Sequence, residues 1–565
     1  MNQEILFLLF RRMRMPLIVL ISAYALSVTG FVLIPGMDDQ GRPWNMDFFH
    51  AFYFVSFMGS TIGFGEIPYA FTDGQRYWAL FTIYLTVIAW LYGIGTLISL
   101  IQDPAFRNVI RHSRFLRKVR AIRRPFYLIC GYGDTGEHLE REMSERYFHS
   151  VVLDIKQERI DHLLVSQLRV EVPGLCADAA NPSALREAGL ENSHCVGLVA
   201  LTNDDAANLR AALSAKLLSP RLKVIARAET RDAEANLLSF NTDVVINPYT
   251  SFANWLAMAI HSPSMYLIHD WMTGIYDRPL SEPLVPPVGT WIVCGFGRFG
   301  KAVCSHLERE GVRTILVEAD PALTEAPEGT IIGSGTEAVT LLEAGIHDAV
   351  GIVAGTNDDA DNLSIIMTAY ALNPQLFIVA RQNKSRNTAL FKAARVDFVM
   401  QPGAMMAQKI AASMMTPMLV DFLELAREKD DEWANILISR IIALTGEEHP
   451  ITWKIKITAG SAPALYDALK SGQRVTLENL QHDPRERSNR ILCVPLMVKS
   501  PGEEPILLPD DDYVLHVGDR ILFAGLGNAK SSMGWLLNNI NALEYVLTGI
   551  ERPSSIVWKW FSKEA

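Results

Sequence analysis

Three Gly-x-Gly pairs are the part of this 565-residue sequence best suited to binding ions. The stretch GSTIGFGEIP (59–68) follows an aromatic segment, whereas CGYGDTG (130–136) and CGFGRFG (294–300) contain the ends of apolar, strand-like runs. Glycine adopts positive φ without the steric penalty that a Cβ imposes. Such a backbone can present carbonyl oxygens to a cation or N–H groups to an anion, and the flanking elements decide between the two.

The first pair is predicted to bind a cation. No strand precedes it, and it lacks the third glycine of a phosphate-binding turn. Where successive residues alternate in handedness, their carbonyl groups point the same way, and four such segments around an axis can replace the hydration shell of K⁺. The expected selectivity filter is formed by Thr61, Ile62, Gly63, Phe64 and Gly65, with K⁺ held at Thr61, Ile62, Gly63 and Phe64.

The first hundred residues have the composition of a small membrane domain. Uncharged runs predict spans at about 16–34 and 78–101, and a shorter aromatic run predicts a re-entrant pore helix at about 47–60. Arginines flank the first span, and the segment 102–125 carries eight Lys or Arg residues and one acid. Positive charge at both outer ends places both termini in the cytoplasm. A cleaved signal peptide is the alternative for the first run, but that run is long and no small-residue cleavage site precedes an export-type domain.

Two glycines in the second span, Gly93 and Gly95, are expected to form a gating hinge. Glycine weakens a helix by about 1 kcal/mol per residue, which is tolerable where bending is useful. Close packing against a neighbouring helix is the alternative. Leu97, one turn below Gly93, is a candidate for the apolar constriction at the inner mouth, with ordinary helix or lipid packing as its alternative.

Two spans that bracket a pore helix and a Thr-x-Gly-x-Gly sequence resemble the pore of potassium-channel subunits. TIGFGE is similar to the family's TVGYGD, with Ile62, Phe64 and Glu66 substituted. The resemblance implies a multi-pass protein of the bacterial inner membrane that conducts K⁺. Phe64 lacks the hydroxyl that normally ties the filter to the pore helix, so a non-selective cation channel is the nearer alternative.

From about residue 126 the sequence contains the same α/β lobe twice. Each Gly-rich turn lies between a strand-like and a helix-like run, and an acid follows 18 residues after the last glycine, Asp154 in the first copy and Glu318 in the second. Strand, turn, helix and acid together make the dinucleotide-binding fingerprint. Further segments repeat in the same order, among them TNDDAANL and TNDDADNL. Two Rossmann-like copies, about 155 residues apart, are the simplest explanation.

The order of these motifs resembles the RCK (regulator of K⁺ conductance) family, whose domains are also called KTN or TrkA-N. The resemblance implies a ligand-gated potassium channel, a homotetramer whose eight lobes form a gating ring. The implied fold class is a two-helix, all-α potassium-channel pore, tandem α/β Rossmann-like domains and a C-terminal α+β lobe similar to TrkA-C. The expected divisions are a pore module (1–101), a basic linker (102–125), a first RCK N-lobe with its helical crossover but no C-lobe (126–276), a Pro-rich linker (277–289), a second N-lobe with its crossover (290–430) and a TrkA-C-like lobe with a tail (435–565).

Each lobe is expected to bind a nucleotide such as NAD, ADP or ATP. The glycines let a pyrophosphate approach a helix N-terminus, and the acid accepts hydrogen bonds from ribose hydroxyls. Arg298 suits a phosphate and Asp134 repels one, so the second lobe is predicted to have the better-equipped site; a fold kept without ligand is the alternative for either copy. The candidate residues are Gly131, Gly133, Asp134, Thr135, Gly136, Asp154, Asp178, Asn203 and Arg227 in the first copy, and Gly295, Gly297, Arg298, Phe299, Gly300, Glu318, Asn357 and Arg381 in the second.

The sequence does not decide the roles of two kinds of acidic run. The Asn-Asp-Asp runs (203–205 and 357–359) either contact ligand or close a turn. A role for Ca²⁺ comes from the resemblance alone and its site is unknown; the runs at 430–432 and 510–512 are candidates, with solvated turns as the alternative.

Three further expectations concern partners and rival functions. The basic linker either transmits movement of the ring to the second span or meets anionic membrane lipid, and no nucleic-acid partner is expected. A membrane-tethered NAD(P) oxidoreductase is the rival from another class, but it leaves TIGFG unexplained, so no enzymatic activity and no catalytic residue are expected. A peripheral transport regulator of the TrkA kind would share the lobes but lack the spans.

Overall fold

The structure, a computed structural model, describes residues 3–65, 67–273, 282–446 and 448–551. It divides the chain into two compact units, residues 1–121 and residues 122–565. Glu66 and the first residues of the expected Pro-rich linker lie outside the described residues.

The first unit consists of two long helices, a short helix between them and a basic helix at its end. Stretches long and apolar enough to cross a membrane run over Phe10–Leu33 and Asp73–Gln102. The second begins at Asp73 rather than near residue 78, because Thr72 and Gln75 form a capping box at its start. The elements are α1 (Gln3–Leu33), β1 (Gly36–Met37), β2 (Pro43–Trp44), α2 (Phe48–Gly59), α3 (Asp73–Gln102) and α4 (Pro104–Ala121).

Helix contacts in this unit depend on two glycines that have no room for a Cβ. A Cβ on Gly30 would lie 2.0 Å from the Trp78 ring, whose Nε1 donates a hydrogen bond to a carbonyl oxygen of α1 at 3.0 Å. A Cβ on Gly59 would lie 3.2 Å from both Thr86 and Tyr24. The first contact holds the two long helices together, and the second fixes the short helix α2 against both of them.

The second unit begins with a six-stranded parallel sheet. Its elements are β3 (Phe126–Cys130), α5 (Asp134–Glu145), β4 (His149–Asp154), α6 (Gln157–Val165), β5 (Gly174–Cys176), α7 (Pro182–Glu187), β6 (Cys195–Ala200), α8 (Asp205–Leu218), β7 (Lys223–Arg227), α9 (Arg231–Ser239) and β8 (Val244–Ile246). The strand order is β5-β4-β3-β6-β7-β8. The direction of the order reverses between β3 and β6, which is where doubly wound sheets bind ligands, at the carboxyl ends of their strands.

A second parallel sheet repeats this arrangement. Its elements are β9 (Thr290–Cys294), α12 (Arg298–Arg309), β10 (Arg313–Glu318), α13 (Pro321–Thr324), β11 (Ile331–Ile332), α14 (Ala338–Glu343), β12 (Gly351–Ala354), α15 (Asp359–Leu372), β13 (Phe377–Arg381), a 3₁₀ turn (Ser385–Asn387), α16 (Thr388–Ala393) and β14 (Phe398–Met400). The strand order is β11-β10-β9-β12-β13-β14. The two copies that the sequence predicts therefore share one topology.

The helices that follow each sheet pack on the other lobe. The first crossover comprises α10 (Pro248–His261) and α11 (Pro263–Thr273), and the second comprises α17 (Pro402–Met415) and α18 (Pro417–Ala426). Helix α10 packs on α12 of the second lobe, and α17 packs on α5 of the first. At the second of these contacts, a Cβ on Gly403 would lie 3.1 Å from the Asp134 Cβ. Each fingerprint helix is thus covered by the crossover of the other lobe.

A third lobe completes the second unit. Its elements, which follow α19 (Asp431–Thr445), are β15 (Ile451–Lys456), α20 (Pro463–Lys470), α21 (Leu477–Leu480), β16 (Cys493–Lys499), β17 (Ile506–Leu507), β18 (Arg520–Gly525), α22 (Gly527–Asn538) and α23 (Ile540–Thr548). The strands form an antiparallel sheet in the order β15-β18-β16-β17. The expected fold class, an all-α pore module with tandem α/β lobes and an α+β lobe, is confirmed.

Candidate functional site

The segment after the short helix α2 alternates in backbone handedness. φ is +62° at Thr61, +65° at Gly63 and +73° at Gly65, whereas Ile62 and Phe64 lie outside the positive-φ region. This is the alternation that the sequence predicts for a cation filter, because it can turn successive carbonyl groups to one side. Among the described residues no atom lies within 4 Å of the Cβ position at either glycine. The backbone conformation itself therefore favours glycine there.

The filter segment is tied to α2 by its backbone. The Phe57 carbonyl oxygen accepts hydrogen bonds from the amides of Ile62 at 3.1 Å and Gly63 at 3.3 Å. The Phe64 ring contacts the Phe57 ring edge-on, with centroids 6.3 Å apart. A Phe at this position thus meets the pore helix through its ring, without the hydrogen bond that a hydroxyl would supply.

The candidate hinge lies in an uninterrupted helix. Gly93 and Gly95 both belong to α3, and within the described part of the chain no atom lies within 4 Å of a Cβ built at either position. Close packing inside this chain therefore does not explain the two glycines. Leu97 is 42% exposed, so its side chain is available at the surface of α3.

Both Gly-rich turns have the geometry of a dinucleotide fingerprint. The first glycine of each turn has positive φ, +107° at Gly131 and +94° at Gly295. A Cβ on Gly136 would lie 2.3 Å from the Gly131 oxygen, and one on Gly300 would lie 2.0 Å from the Gly295 oxygen. The middle glycines, Gly133 and Gly297, cap the helices α5 and α12 without any side-chain hydrogen bond. The amides of the first helical turn therefore remain for an anion.

The acids at the ends of β4 and β10 bind back to these turns. Asp154 Oδ2 accepts a hydrogen bond from the Tyr132 amide at 2.7 Å, and Glu318 Oε2 accepts one from the Phe296 amide at 2.5 Å. Each acid thus lies beside the turn, where the fingerprint requires it. The same hydrogen bond stabilises the turn when no ribose hydroxyl is bound.

Arg159 is a functional candidate that the sequence reasoning missed. Its Nη1 lies 3.1 Å from Asp154 Oδ2, and its guanidinium lies 3.6 Å from the Cβ position of Gly133. A cation therefore lies over the first fingerprint turn, in the lobe that the sequence predicts to be the less well equipped. The signal was the spacing of five residues from the acid, which places Arg159 on the first turn of α6.

The Glu229 carboxylate of the first lobe forms an ion pair with the Arg298 guanidinium of the second. Glu229 Oε2 is 2.5 Å from Arg298 Nη1, and the other oxygen of Glu229 pairs with Arg227. Arg227 also donates a hydrogen bond to Asn203 Oδ1 at 2.9 Å. Arg298, which the sequence assigns to a phosphate, is thus already paired across the boundary between the lobes.

An aromatic ring of the first crossover separates two arginines of the second lobe. The Tyr249 ring centroid is 5.4 Å from the Arg298 guanidinium carbon and 5.2 Å from that of Arg381. Both distances are those of cation–π contacts. Burial lowers the pKa of Arg381. The second fingerprint is therefore framed partly by residues of the first lobe.

The Asn-Asp-Asp runs close turns in both lobes. Asp204 and Asp358 cap α8 and α15 by accepting hydrogen bonds from backbone amides of the first turn. Asp205 accepts hydrogen bonds from backbone amides of the loop after β7, the shortest at 2.9 Å. Asp359 does the same for the loop after β13, with a shortest distance of 2.6 Å. The turn-closing interpretation thus accounts for these four aspartates.

The remaining candidates differ in how they could meet a ligand. Thr135 and Phe299 are buried, at 5% and 0% exposure, so their side chains face the core and only their helix-start amides remain for an anion. Asp178 and Asn357 are exposed in the turns after β5 and β12. Asp178 accepts a hydrogen bond from the Ala180 amide at 2.8 Å.

The acidic runs suggested for a divalent cation have protein partners instead. Asp431 accepts hydrogen bonds from Ser262 Oγ at 2.8 Å and Ser264 Oγ at 3.1 Å. Asp511 pairs with Arg490 at 3.0 Å. Within the described ranges no group of three or more His, Cys, Asp or Glu side chains is arranged to hold a metal ion.

Comparison with known proteins identifies the two kinds of domain that carry these sites. The ion channel family matches residues 17–103, and the TrkA-N domain family matches residues 127–248 and 291–402. "Potassium channel protein 1" of Methanocaldococcus jannaschii is 25% identical over 299 residues, which cover 51% of this chain and 84% of that protein. The "Voltage-gated potassium channel Kch" of Escherichia coli is 23% identical over 211 residues, or 37% of this chain and 49% of that protein.

A solved structure named "GsuK Channel" matches 97% of this chain and all of its own length, at 16% identity and a TM-score of 0.49. The expectation of a potassium-channel relative with RCK domains, rather than an enzyme, is confirmed by the two families and the homologues. The chain therefore joins an ion-channel domain to two TrkA-N domains and is similar to potassium channel proteins.

Proposed function

We propose that the chain forms a K⁺-selective channel whose pore is gated by a nucleotide bound to the tandem lobes. The observation that carries the selectivity is the alternation of handedness through Thr61, Gly63 and Gly65. Carbonyl oxygens aligned in this way replace the hydration shell of K⁺ when four copies meet around an axis. The proposal therefore requires a homotetramer, with K⁺ bound at Thr61–Phe64.

The nucleotide part of the proposal rests on the two fingerprint turns. In each lobe, free helix-start amides suit a pyrophosphate and the adjoining acid suits ribose hydroxyls, which favours NAD or an adenine nucleotide such as ADP or ATP. Arg159 serves the first lobe and Arg298 the second. We propose that both lobes bind nucleotide. The second lobe does so by exchanging the Glu229 carboxylate for a phosphate.

Gating follows from linkage between the ligand and the shape of the lobes. A ligand shifts the pore equilibrium only by its different affinity for two conformations. Because four subunits add their contributions, a few kcal/mol in total is enough to open or close the pore. The helix α4 with its basic residues would transmit the change to α3, and the same arginines would contact anionic lipid. Both termini would lie in the cytoplasm of a bacterium.

The test is the purified full chain in planar bilayers. Reversal potentials in K⁺/Na⁺ gradients should follow the K⁺ equilibrium potential, and NAD or ADP added on the side of the lobes should change the open probability. A reversal potential near zero would instead support the second candidate, a non-selective cation channel. That candidate is favoured by the missing hydroxyl at Phe64. No current in any gradient would contradict both.

A further inference from the structure

A cavity of about 100 Å³ lies between the two crossovers, away from both fingerprints. The first crossover contributes Ser251 from α10 and His269 from α11, and the second contributes Lys409 from α17 and Glu424 from α18. None of these four residues belongs to either nucleotide site. The cavity is therefore a separate feature that forms only where the two lobes meet.

Lys409 gives the cavity a positive charge that lacks a close ion-pair partner among the described residues, and the carboxylates of Glu424 and Glu234 offset part of it at longer range. Its side chain is half-buried, and Nζ donates a hydrogen bond to the neutral Ser251 Oγ at 3.3 Å. No carboxylate within the described ranges lies within 4.0 Å of Nζ, and burial lowers the pKa of Lys409. A partly desolvated ammonium group with one neutral partner is costly. An anion in the cavity would remove that cost.

The other polar groups of the cavity are mostly hydrogen-bond donors. His269 packs against the Trp255 ring at 5.1 Å, and burial together with the Lys409 charge lowers the pKa of His269 to about 4. The ring is thus neutral at physiological pH and keeps one N–H. Arg427 and Glu424 both line the cavity, and both are exposed. Two cations therefore face one acid.

We propose that this cavity binds a compact oxyanion of the phosphate class, with Lys409 as its main partner. The volume is well below the roughly 300–1,000 Å³ of pockets that enclose drug-sized ligands, so a nucleotide does not fit. Bound phosphate would bridge the crossover helices of the two lobes. Under the proposed function, it would therefore act as a regulator distinct from the nucleotide.

Glu424 sets the expected choice among oxyanions. Hydrogen phosphate carries a proton that it can donate to a carboxylate, whereas sulfate has none at neutral pH. A sulfate beside Glu424 would face an unprotonated acceptor and a like charge. The cavity should therefore prefer phosphate over sulfate, and Glu424→Gln should narrow that preference.

The test uses the full chain in detergent with inorganic phosphate as the probe. Trp255 lies in the cavity, so its fluorescence reports binding once the signal of Trp255→Phe, which retains the other tryptophans, has been subtracted. Lys409→Gln should weaken phosphate binding at least tenfold, whereas Lys392→Gln, at an exposed lysine of the same lobe, should leave it unchanged. Equilibrium dialysis of the same variants checks the affinity without the fluorophore, and thermal unfolding checks that they are folded.

Three results would overturn the proposal. Phosphate binding that is equal in the wild type and Lys409→Gln would place any anion elsewhere. Competition by AMP at equal concentration would assign the signal to a nucleotide phosphate. Loss of folding in Glu424→Gln without any phosphate binding in the wild type would show that Glu424 and Lys409 are a structural pair. None of these results depends on channel activity, so they are distinguishable from a failure of the proposed function.

Discussion

Arg298 of the second fingerprint and Glu229 of the first lobe form an ion pair, with Nη1 and Oε2 2.5 Å apart. Glu229 thus already binds Arg298, the cation that a phosphate of the nucleotide would otherwise contact. Arg227 binds the other carboxylate oxygen of Glu229, so one side chain connects the arginines of both lobes. Nucleotide binding in the second lobe should therefore compete with a contact to the first.

Replacing Glu229 with Gln should tighten nucleotide binding by the second lobe. The change removes a competing negative charge from Arg298, and a charge-assisted hydrogen bond of about 1.5–3 kcal/mol corresponds to roughly tenfold or more in affinity. Titration of fluorescent ADP with the full chain measures the change. Glu191→Gln, which breaks an exposed ion pair with Arg186, is the matched control and should have no effect. Weaker binding in Glu229→Gln would show that Glu229 is itself part of the site.

Arg298→Ala should weaken binding of NAD or ADP, and by more than Asp134→Asn changes it. The arginine can reach a phosphate at the start of α12, whereas the aspartate offers no favourable contact to lose. Isothermal titration of the two variants decides the ranking. Equal effects would refute it.

Arg159→Ala should weaken nucleotide binding by the first lobe about tenfold. The variant removes the cation over the first fingerprint and frees Asp154 from its ion pair. Arg141→Ala is the control, since Arg141 pairs with Glu137 on the exposed side of α5. If both variants bind nucleotide like the wild type, the first lobe has kept the fold without the ligand.

Gly63→Ala should reduce K⁺ selectivity without a steric clash. The residue has φ of +65° and open space at its Cβ position, so the variant meets only the cost of about 1–2 kcal/mol for a left-handed L-residue. Gly41 has φ of +74° and equally open surroundings, but it lies in the turn between β1 and β2. Reversal potentials in K⁺/Na⁺ gradients should shift toward zero for Gly63→Ala and stay unchanged for Gly41→Ala.

The sequence was sufficient for the features that depend on local backbone chemistry. The positive φ at Gly63 and Gly65, and the tight turns at Gly131 and Gly295, follow from glycine at fixed spacing. The repeated motifs predicted two copies of one sheet. These are local properties, which a pattern along the chain can express.

Features that join distant parts of the chain were not predictable in this way. Glu229 and Arg298 are 69 positions apart in the sequence, and nothing local indicates that they meet. Arg159 was overlooked because its link to Gly133 depends on how α6 folds back over the turn. The partners of Asp431 could be assigned only once Ser262 and Ser264 were seen beside it.

Gly93→Ala should stabilise the straight form of α3. Nothing described in the chain contacts a Cβ there, so the variant gains about 1 kcal/mol of helix propensity at no steric cost. If the pore opens by bending at this point, the nucleotide-dependent change in open probability should fall several-fold. Gly534→Ala, at an equally open helical position in α22, is the control. Unchanged single-channel gating in Gly93→Ala would contradict the hinge.

Glu140→Gln should remove a pH dependence of stability. Glu140 is fully buried on α5, accepts a hydrogen bond from Ser150 Oγ at 2.7 Å, and burial raises its pKa from 4.5 to about 7. Between these pH values the folded state holds a proton that the unfolded state has lost, so stability falls as pH rises, by about 3 kcal/mol in all. Thermal unfolding at pH 5 and pH 8 measures this loss. It should persist in Glu137→Gln, a partly exposed control on the same helix, and vanish in Glu140→Gln.

The reciprocal packing of the crossovers has a consequence for synthesis on the ribosome. Helix α5 emerges about 270 residues before α17, the helix that covers it. At roughly 5–20 residues per second, that interval lasts on the order of ten to fifty seconds. The apolar face of α5 therefore stays uncovered until the second lobe and its helix α17 have been synthesised. Chaperones or the rate of translation have more influence on this half of the chain than on the other.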